Sequence, residues 1–376
     1  MKLLVVSSSY IISYSQEKFV AMKALRPDLE LRLLVPNCSY HMFGTYQADR
    51  HAVLDAKEYI VMRRMGGRSH MTYLLNPVGL ARFLRQFKAD AVLIEEDPHS
   101  IIGVETVLLS RLFSPGTKVI FFVWDNLLRS PRFPLNLVKK AASRFSFAKT
   151  SLVVCGNTEG VHLLPKRGYA GPTAVVPQLG VTESGIAGDH GTSGPLIGFV
   201  GRLVPEKGVL LLLNALAKLK EFHWKLLIVG SGPLEREIQA DWQDRFGDRL
   251  VLMKAVRHDE VNSILLSLDI FVLPSYGVPS WKEQFGLTLA QAMMAGVACI
   301  GSSSGAIPEV LGQAGVVFRE RDEGALRDAL RGLLESEEQR KRMASVARRR
   351  AQEQFSMSAV AARWLSAIDS VLYDVQ

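Results

Sequence analysis

The stretch PSYGVPSWKEQFGLTLAQAMMAGVACIGSSSGAIPEVL, Pro274–Leu311, decides how this chain folds. It follows an apolar run typical of a buried strand and opens with a loop rich in Gly, Pro and Ser. An apolar helix then begins at Leu287, and a short strand and a second turn follow it. A strand that leads through a loop into a helix gathers backbone N–H groups and the positive end of the helix dipole at one point, which suits a phosphate.

Two polar side chains flank the predicted helix start. Glu283 precedes it, and because a carboxylate repels phosphate we expect it to bind hydroxyl groups, as on a sugar. Gln291 lies four residues after Leu287, on the same helix face, and adds a second hydrogen-bonding group. The stretch therefore predicts a site for a ligand that carries both phosphate and hydroxyl groups.

These residues resemble the signature of the family-4 retaining glycosyltransferases, also described as glycosyl transferases group 1. In the Glu-x7-Glu motif of that family, Phe-Gly and a helix follow the first Glu; Glu283, Phe285 and Gly286 match it, and Gln291 replaces the second Glu. The resemblance implies the GT-B fold, an α/β architecture with two Rossmann-like, doubly wound parallel-sheet domains that face a central cleft. It also implies that Glu283 contacts the donor sugar and Gln291 the nucleotide ribose.

Length and composition favour two globular domains. A chain of 376 residues is long for one core. The chain contains no run of eighteen or more apolar residues, the length that could span a bilayer. The start of the chain is predicted to be a buried strand, not a signal peptide, because serines interrupt its apolar run. Cys38, Cys155 and Cys299 lie far apart without metal-ligand spacing, so we expect reduced cysteines in a cytoplasmic protein.

Short runs rich in Val, Ile, Leu and Phe alternate with amphipathic segments, which favours parallel sheets covered by helices on both faces. We predict an N-terminal acceptor-binding domain over residues 1–180, a linker rich in Gly, Ser and Thr over 181–195, and a nucleotide-sugar-binding domain over 196–355. The resemblance implies that the last segment, 356–376, crosses back to the first domain. The predicted strands are KLLVVSS, LELRLLVP, EYIVMR, DAVLIEE, TKVIFFVW, TSLVVCG and TAVVPQL in the first domain, and LIGFV, WKLLIVG, LVLMKAV, DIFVLPS, ACIGS and GVVF in the second.

A glycine-bounded loop, Gly201–Gly208, follows the strand LIGFV and resembles the diphosphate-binding loop of the family. Arg202 and Lys207 can close on a diphosphate from two sides and stabilise its charge as it leaves. The N–H groups of Phe285–Leu287 are expected to assist them. The alternative is a solvated turn with two surface cations, and the Glu283–Gln291 motif further along the chain argues against this alternative.

Two further loops are predicted to hold the nucleotide. Gly230 and Gly232 follow the next strand, where the resemblance implies the wall of the nucleotide pocket; a tight strand-to-helix turn is the alternative. The loop Lys254–Arg257 corresponds to the place where the family holds the base, largely through backbone atoms. We predict that Ala255 and Val256 touch the base.

Polar residues also end two strands of the first domain, at an edge where parallel sheets present ligand-binding groups. One group is the acid-rich segment Glu95–Ser100, which contains His99. The other is Trp124 and Asp125, at the point where many family members carry a His that faces the donor sugar, and we predict that Asp125 takes part in catalysis. A solvated or hydrogen-bonded loop position without a chemical role is the alternative for each of these groups.

The chain contains no Asp-x-Asp pair, the motif that holds a metal ion on the diphosphate in transferases of the other common fold. Arg202 and Lys207 would replace that metal, so we predict no metal site and no cofactor.

The charge is concentrated in the first half, where residues 1–177 hold 23 Lys and Arg against 13 Asp and Glu. Six of these cations lie in Arg129–Lys149, among Phe, Leu and Val. A basic amphipathic segment favours an anionic membrane surface, and a sheet-covering helix with a basic polar face is the alternative. Nucleic acid is the least favoured partner, because no nucleic-acid-binding motif accompanies the charge.

The sequence thus predicts a cytoplasmic glycosyltransferase, peripheral on the inner membrane face and active in polysaccharide biosynthesis. It would move a sugar, with retention and without metal, from a UDP- or GDP-sugar to a hydroxyl of a glycan or lipid-linked acceptor. A non-catalytic GT-B partner that binds nucleotide sugar is the first alternative, motivated by Gln291 and Trp124. The second is a Rossmann oxidoreductase, for which no Gly-x-Gly-x-x-Gly loop with a following acid is present.

Overall fold

The computed structural model describes residues 1–41, 44–69, 71–128, 134–187 and 194–373. The chain forms two compact units. The first comprises Met1–Gly180 together with Met357–Gln376, and the second comprises Val181–Ser356.

The first unit is built on a seven-stranded sheet of order β11-β10-β9-β8-β1-β2-β5, in which every pairing is parallel. Two antiparallel hairpins, β3-β4 and β6-β7, accompany it. The strands are β1 (Lys2–Val6), β2 (Glu30–Pro36), β3 (Cys38–His41), β4 (Gly44–Gln47), β5 (Tyr59–Met62), β6 (Arg64–Gly66), β7 (Tyr73–Leu75), β8 (Ala91–Ile94), β9 (Lys118–Val123), β10 (Leu152–Cys155) and β11 (Thr173–Val175).

Helices cover both faces of this sheet. They are α1 (Glu17–Leu25), α2 (Pro77–Phe87), α3 (Ile101–Phe113), α4 (Leu135–Phe147), α5 (Thr158–Leu163) and, from the end of the chain, α14 (Met357–Leu372). Alternate residues of β1 belong to separate cores: Leu3 and Val5 to one, Leu4 and Val6 to the other. A strand buried on both sides has a continuous apolar sequence, which is why the sequence pattern predicted β1 correctly.

The second unit contains a six-stranded parallel sheet of order β14-β13-β12-β15-β16-β17. Its strands are β12 (Leu196–Val200), β13 (Lys225–Val229), β14 (Leu250–Met253), β15 (Ile270–Leu273), β16 (Ala298–Ser302) and β17 (Val316–Phe318). Its helices are α6 (Val209–Ala217), α7 (Glu235–Glu237), α8 (Gln243–Phe246), α9 (His258–Leu266), α10 (Leu287–Met294), α11 (Ile307–Leu311), α12 (Glu323–Glu335) and α13 (Glu337–Phe355), with a π-helical turn, Ile238–Trp242, between α7 and α8.

The predicted α/β class with two parallel sheets is confirmed, and the predicted apolar runs form the strands of both main sheets. The two hairpins of the first unit were not predicted, because strands such as CSYH, GTYQ and RMG contain no continuous apolar run.

The segment predicted as a linker is attached to the second unit where it is described. Val181 is fully buried there, and its N–H donates to Phe355 O at 2.7 Å. Arg348 donates to the carbonyls of Ser184 and Gly185. Residues 188–193 of the predicted linker lie outside the described residues.

The three cysteines are free thiols, of which Cys155 and Cys299 are buried. Burial raises the pKa of Cys155 to about 12, so this thiol stays protonated and unreactive. Within the described ranges, no helix has the length and the hydropathy needed to cross a membrane.

Candidate functional site

The strand order of the second sheet decides which of its loops meet. β12 lies between β13 and β15, so the order reverses beside it. In open parallel sheets, ligands bind outside the carboxyl ends of the two strands at such a reversal. The loop after β12 carries Arg202 and Lys207, and the loop after β15 carries Glu283. The strand order therefore brings these sequence-predicted residues to one place.

The loops after β12 and β13 pack closely against each other. The N–H of Gly201 donates to Val229 O at 3.0 Å. A Cβ atom on Gly230 would lie 1.9 Å from Gly201 O, and one on Gly232 would lie 2.4 Å from Leu203 O. A side chain at either position would collide with the backbone of the neighbouring loop, so both residues must be glycine whether or not a nucleotide binds there.

The loop after β12 is also held against the loop after β15. The N–H of Tyr276 donates to Glu206 O at 2.9 Å. Gly208 has a φ of +73°, and a Cβ there would lie 2.0 Å from Pro274 O, so only glycine fits. This contact directs Lys207 toward the Glu283 loop.

Lys207 and Glu283 form an ion pair. Lys207 Nζ donates to Glu283 Oε2 at 2.7 Å, and Ser275 Oγ donates to the same oxygen at 3.2 Å. The ammonium lies 4.7 Å from the centre of the Trp281 ring, a cation–π distance. The two charged side chains are only 15% and 9% exposed. The sequence predicts that Lys207 binds the diphosphate of a donor and that Glu283 binds its sugar. In the structure the two side chains bind each other.

The backbone of Glu283 is fixed by the turn after β16. Its carbonyl accepts a hydrogen bond from Ala306 N–H at 3.1 Å. Gly305, in the same turn, has a φ of +56°, and a Cβ there would lie 2.0 Å from Glu283 O. The Ser-Gly-Ala-Ile-Pro-Glu turn therefore positions the carboxylate that we regard as central.

The N-terminus of α10 offers backbone donors beside this carboxylate. Gly286 precedes the helix with a φ of +79°, and no side chain caps the helix. In the part of the chain that the structure describes, the N–H groups of Phe285, Gly286 and Leu287 donate no hydrogen bond. Three donors at a helix N-terminus are suited to a phosphate oxygen.

Arg202 differs from Lys207 in its surroundings. Its side chain is half-buried, and it makes no ion pair or hydrogen bond to any other described residue. A guanidinium without a carboxylate partner retains its donors for an anion.

Gln291, on α10, lies next to a residue that the sequence had not singled out. Its amide Nε2 is 3.4 Å from Nε2 of His258, the first residue of α9. The preceding loop is fixed because Ala255 N–H donates to Ser231 Oγ at 3.1 Å. Ala255 is exposed and Val256 half-buried at the carboxyl end of β14. The position of His258, at a helix start directly after the predicted base-binding loop Lys254–Arg257, is the feature of the sequence that could have singled it out.

Asp125 lies in the first unit and has a local partner. Its carboxylate is 3.4 Å from the guanidinium of Arg167 and also accepts the N–H of Leu127. The predicted catalytic set is thus divided between the two units. Trp124, beside it, packs edge-on against Phe122 at 5.1 Å between ring centres.

Glu95 is part of a fully buried network in the first unit. Its Oε1 accepts from Lys18 Nζ at 2.7 Å, and both side chains are 0% exposed. Its Oε2 accepts from Gln178 Nε2 at 2.7 Å and from the Tyr10 hydroxyl. Burial lowers the pKa of Lys18 even though the carboxylate opposes this shift. Every polar group here is paired inside the protein, which indicates a structural role.

Glu96 is also buried but has a different environment. Its Oε1 accepts from Ser8 N–H at 2.6 Å and from the Tyr73 hydroxyl at 2.9 Å. Burial raises the pKa of this carboxyl to about 7, although the hydrogen bonds oppose the shift. The guanidinium of Arg64 lies 4.2 Å from the centre of the Tyr73 ring.

Across the described ranges, no three His, Cys, Asp or Glu side chains come together in a way that could hold a metal ion.

Residues 194–336, which contain the second-unit site, match the family model for glycosyl transferases group 1. N-acetyl-alpha-D-glucosaminyl L-malate synthase of Bacillus anthracis is 34% identical over 167 residues, which are 43% of this chain and 41% of that protein. A glycogen synthase of Mycobacterium tuberculosis is 33% identical over 173 residues, 43% of this chain and 39% of that protein. The chain therefore spans about two fifths of the length of these relatives.

Solved structures resemble the chain over its whole length. HepE of Anabaena, in complex with UDP, gives a TM-score of 0.70 at 15% identity over 98% of this chain and 100% of that one. Sucrose-phosphate synthase of Thermosynechococcus elongatus gives a TM-score of 0.69 at 16% identity over 100% of both chains. At this identity the likeness shows the fold, and it confirms the predicted GT-B type.

Proposed function

We propose that this chain, whose residues 194–336 form a glycosyl transferases group 1 domain, is a glycosyltransferase that uses a nucleoside diphosphate sugar. The observation that carries the proposal is the Lys207–Glu283 pair, at 2.7 Å, beside the N-terminus of α10. An ammonium, helix N–H groups and a carboxylate at one strand reversal are the groups that a diphosphate joined to a sugar requires.

Each group has a distinct task in this proposal. Arg202, Lys207 and the N–H groups of Phe285–Leu287 hold the diphosphate. Glu283 accepts hydrogen bonds from hydroxyls of the donor sugar. The bond between the anomeric carbon and the diphosphate oxygen breaks, the acceptor oxygen bonds to that carbon, and the hydroxyl proton is released. The cations stabilise the charge that develops on the leaving diphosphate, so no metal is needed.

Retention of the anomeric configuration rests on the resemblance of the Glu283 motif to the retaining family. The UDP- or GDP-sugar donor rests on the same resemblance and, for UDP, on the UDP bound to HepE. NMR of the anomeric proton of the first product distinguishes retention from inversion.

The acceptor in this proposal is a glycan or lipid-linked hydroxyl at an anionic membrane surface, as in polysaccharide biosynthesis. Residues 129–133 of the predicted basic segment lie outside the described residues. In the rest of it, α4 exposes large apolar side chains: Leu135 is 52% exposed, Leu137 55%, Val138 63% and Phe145 38%. An exposed apolar helix face among cations fits the interface of an anionic bilayer.

Thermal stabilisation by a panel of UDP, GDP, ADP and NAD, with and without EDTA, tests the proposed donor site. Stabilisation by one nucleoside diphosphate that EDTA leaves unchanged is the expected result. Stabilisation by NAD alone would favour the oxidoreductase. A flat response to the whole panel would refute the proposed donor site.

The non-catalytic alternative is favoured by two departures from the family pattern: Gln291 replaces the second acid of the motif, and Trp124 stands where many family members carry a His. Release of UDP from UDP-glucose in the presence of acceptor sugars separates the two functions. Binding of the donor without any turnover would support the non-catalytic partner.

A further inference from the structure

A cavity of about 130 Å³ lies at the end of α3, in the first unit. It is lined by Ser110, Arg111, Ser114, Pro115, Thr117 and Val119. The strand β9 runs from Lys118 to Val123, so the cavity lies where this strand begins, and Asp125 is about 20 Å away beyond its other end. None of the lining residues belongs to the groups predicted or proposed to bind the donor.

Arg111 carries the charge of this cavity, because the other five lining residues are neutral. Its Nε atom is buried, and within the described ranges its side chain makes no hydrogen bond or ion pair. Burial lowers the pKa of the guanidinium, as expected for a cation that no carboxylate offsets. A partly buried cation is stabilised by a charge of opposite sign, so the cavity suits an anion.

Ser110 adds a hydroxyl that also lacks a partner. The residue is 1% exposed, and in the part of the chain that the structure describes its Oγ atom makes no hydrogen bond. Thr106, one turn earlier on the same helix, donates to Ile102 O at 2.8 Å, the usual arrangement for a hydroxyl in a helix. A buried hydroxyl without a partner costs free energy, which a ligand at the cavity would recover.

The two remaining hydroxyls are already used within the protein. Thr117 Oγ1 donates its proton to Ala89 O at 2.6 Å. The contact of 2.8 Å between Ser114 Oγ and Thr117 Oγ1 must therefore use the proton of Ser114. The N–H of Thr117 donates to Ser114 O at 3.0 Å, which closes the turn after α3. Ser110 and Arg111 are thus the side chains that can donate to a ligand, and a hydrogen-bonded turn forms the wall beside them.

We propose that this cavity binds a small oxyanion through Arg111 and Ser110, either inorganic phosphate or the phosphate group of a small ester. A guanidinium and a hydroxyl are suitable donors for phosphate oxygens. The cavity has the space of about four water molecules and is well below the roughly 300 Å³ of pockets for larger ligands, which excludes a nucleotide. The inference goes beyond the proposed function, because no residue of the donor site takes part.

Calorimetry at constant ionic strength tests the site with inorganic phosphate, glycerol 3-phosphate and, as the neutral probe, glycerol. A dissociation constant of about 1 mM or below is expected for the anions, since a few charge-assisted hydrogen bonds hold them. Tighter binding of glycerol 3-phosphate would identify an ester as the ligand, and tighter binding of inorganic phosphate would identify the free ion. Absence of saturable binding by both anions would overturn the proposal, as would equally tight binding of glycerol.

Arg111→Gln should weaken binding of the tighter anion about tenfold or more, because the variant loses the charge and the forked donors. Arg85→Gln is the matched control, since Arg85 is an exposed arginine on α2 of the same unit, and it should bind as the wild type does. Arg202→Gln reports any phosphate that binds at the donor site. Binding that Arg202→Gln abolishes and Arg111→Gln leaves unchanged would refute the cavity as the site.

Ser110→Ala separates ligand binding from a structural role. It removes a buried hydroxyl without a partner, so the melting temperature without phosphate should be unchanged or higher. The affinity for the anion should fall about threefold to tenfold, the effect of one hydrogen bond. A lower melting temperature with unchanged affinity would show that Ser110 serves the fold alone. If Arg111→Gln melts early, Arg111→Lys takes its place: it keeps the charge without the planar fork and should still bind more weakly than the wild type.

Discussion

Lys207 and Glu283 lie 2.7 Å apart, so a diphosphate that binds Lys207 must compete with this carboxylate. Ser275 shares the carboxylate oxygen, and the Trp281 ring lies beside the ammonium. At the scale of single residues, the proposed function therefore predicts that nucleotide affinity and sugar recognition are coupled through this ion pair. An ion pair between residues so far apart in the sequence can be recognised only when the tertiary structure brings their two loops together.

Replacement of Glu283 by Gln should separate the two effects. UDP should bind about threefold to tenfold more tightly, because Lys207 no longer has a competing anion and a partly exposed pair contributes about 1 kcal/mol. Turnover of the nucleotide sugar should be lost, because an amide accepts sugar hydroxyls more weakly than a carboxylate. Calorimetry with UDP and an assay of UDP release measure the two effects.

Glu206→Gln removes one negative charge from the residue next to Lys207 and is the control for a general charge effect. It should alter UDP affinity by less than Glu283→Gln does, since the side chain of Glu283, not that of Glu206, is bonded to Lys207. Equal changes in the two variants would contradict a specific competition.

Glu96 predicts a pH dependence of stability. Burial raises the pKa of its carboxyl to about 7 in the folded chain, so the folded state keeps a proton that the unfolded state releases at lower pH. Stability from this residue is thus present at low pH and is lost as pH rises toward 7. Glu96→Gln removes the ionisation, so the variant should gain about 2–3 kcal/mol relative to the wild type between pH 5 and pH 8.

Urea unfolding of both proteins across this range measures the difference. The groups that face Glu96 are Tyr73, Ser8 and Asp97, and these are unchanged in the variant. Glu30→Gln is the control, since its carboxylate is 54% exposed and remains hydrated at every pH. A constant difference between Glu96→Gln and wild type would contradict the buried-carboxyl interpretation.

At the scale of elements, α4 shows what sequence periodicity leaves open. The sequence predicted a basic amphipathic segment that either binds an anionic membrane surface or covers the sheet with a basic polar face. In the structure Ser146 and Phe147 are buried, while Leu137 and Val138 are more than half exposed. The helix thus packs on the first unit through Phe147, as the sheet-covering alternative predicts, and it also exposes apolar side chains, so binding to a membrane surface stays a prediction.

Val138→Asp should weaken binding to vesicles of phosphatidylcholine and phosphatidylglycerol roughly tenfold, because a buried valine contributes about 1.5 kcal/mol or more. Co-sedimentation measures the bound fraction. Val346→Asp is the control, since Val346 is 46% exposed on α13 in the other unit. Equal binding of the Val138→Asp and Val346→Asp proteins would contradict docking through α4.

At the scale of the whole molecule, the first unit depends on both ends of the described chain. α14 packs on α1, and Trp364 is fully buried and donates to Pro177 O at 2.9 Å. Arg26 binds the Asp369 carboxylate through both of its terminal nitrogens. The Trp364 ring also lies 4.3 Å from Lys18 Nζ, so it closes the buried Glu95 network.

Trp364→Ala should therefore destabilise the first unit by about 3–5 kcal/mol, through the cavity and the loss of cover over a buried charge. Two thermal transitions are expected, and the one that UDP raises belongs to the second unit. The variant should lower the other transition only. Tyr373→Ala, at a 62% exposed position, is the control and should change neither. A decrease in melting temperature confined to the UDP-sensitive transition would contradict the conclusion that Trp364 stabilises the first unit.

The sequence by itself determined the strands of both sheets, the start of α10 and the family signature around Glu283. These follow from local patterns: strands buried on two faces are continuous apolar runs, and helix starts need particular residues within a few positions. Gly208 was recognisable as the end of a loop, but the reason that it must be glycine lies in its contact with Pro274 O.

Only the tertiary structure decided the strand order, and with it the meeting of the loops after β12 and β15. It alone paired Lys207 with Glu283 across 76 residues and Gln291 with His258 across 33, and it placed apolar side chains of α4 toward solvent. The physical reason is that these contacts depend on which strands are neighbours and which faces are covered. That choice is made by the free energy of the whole packed unit, and no short stretch of sequence contains it.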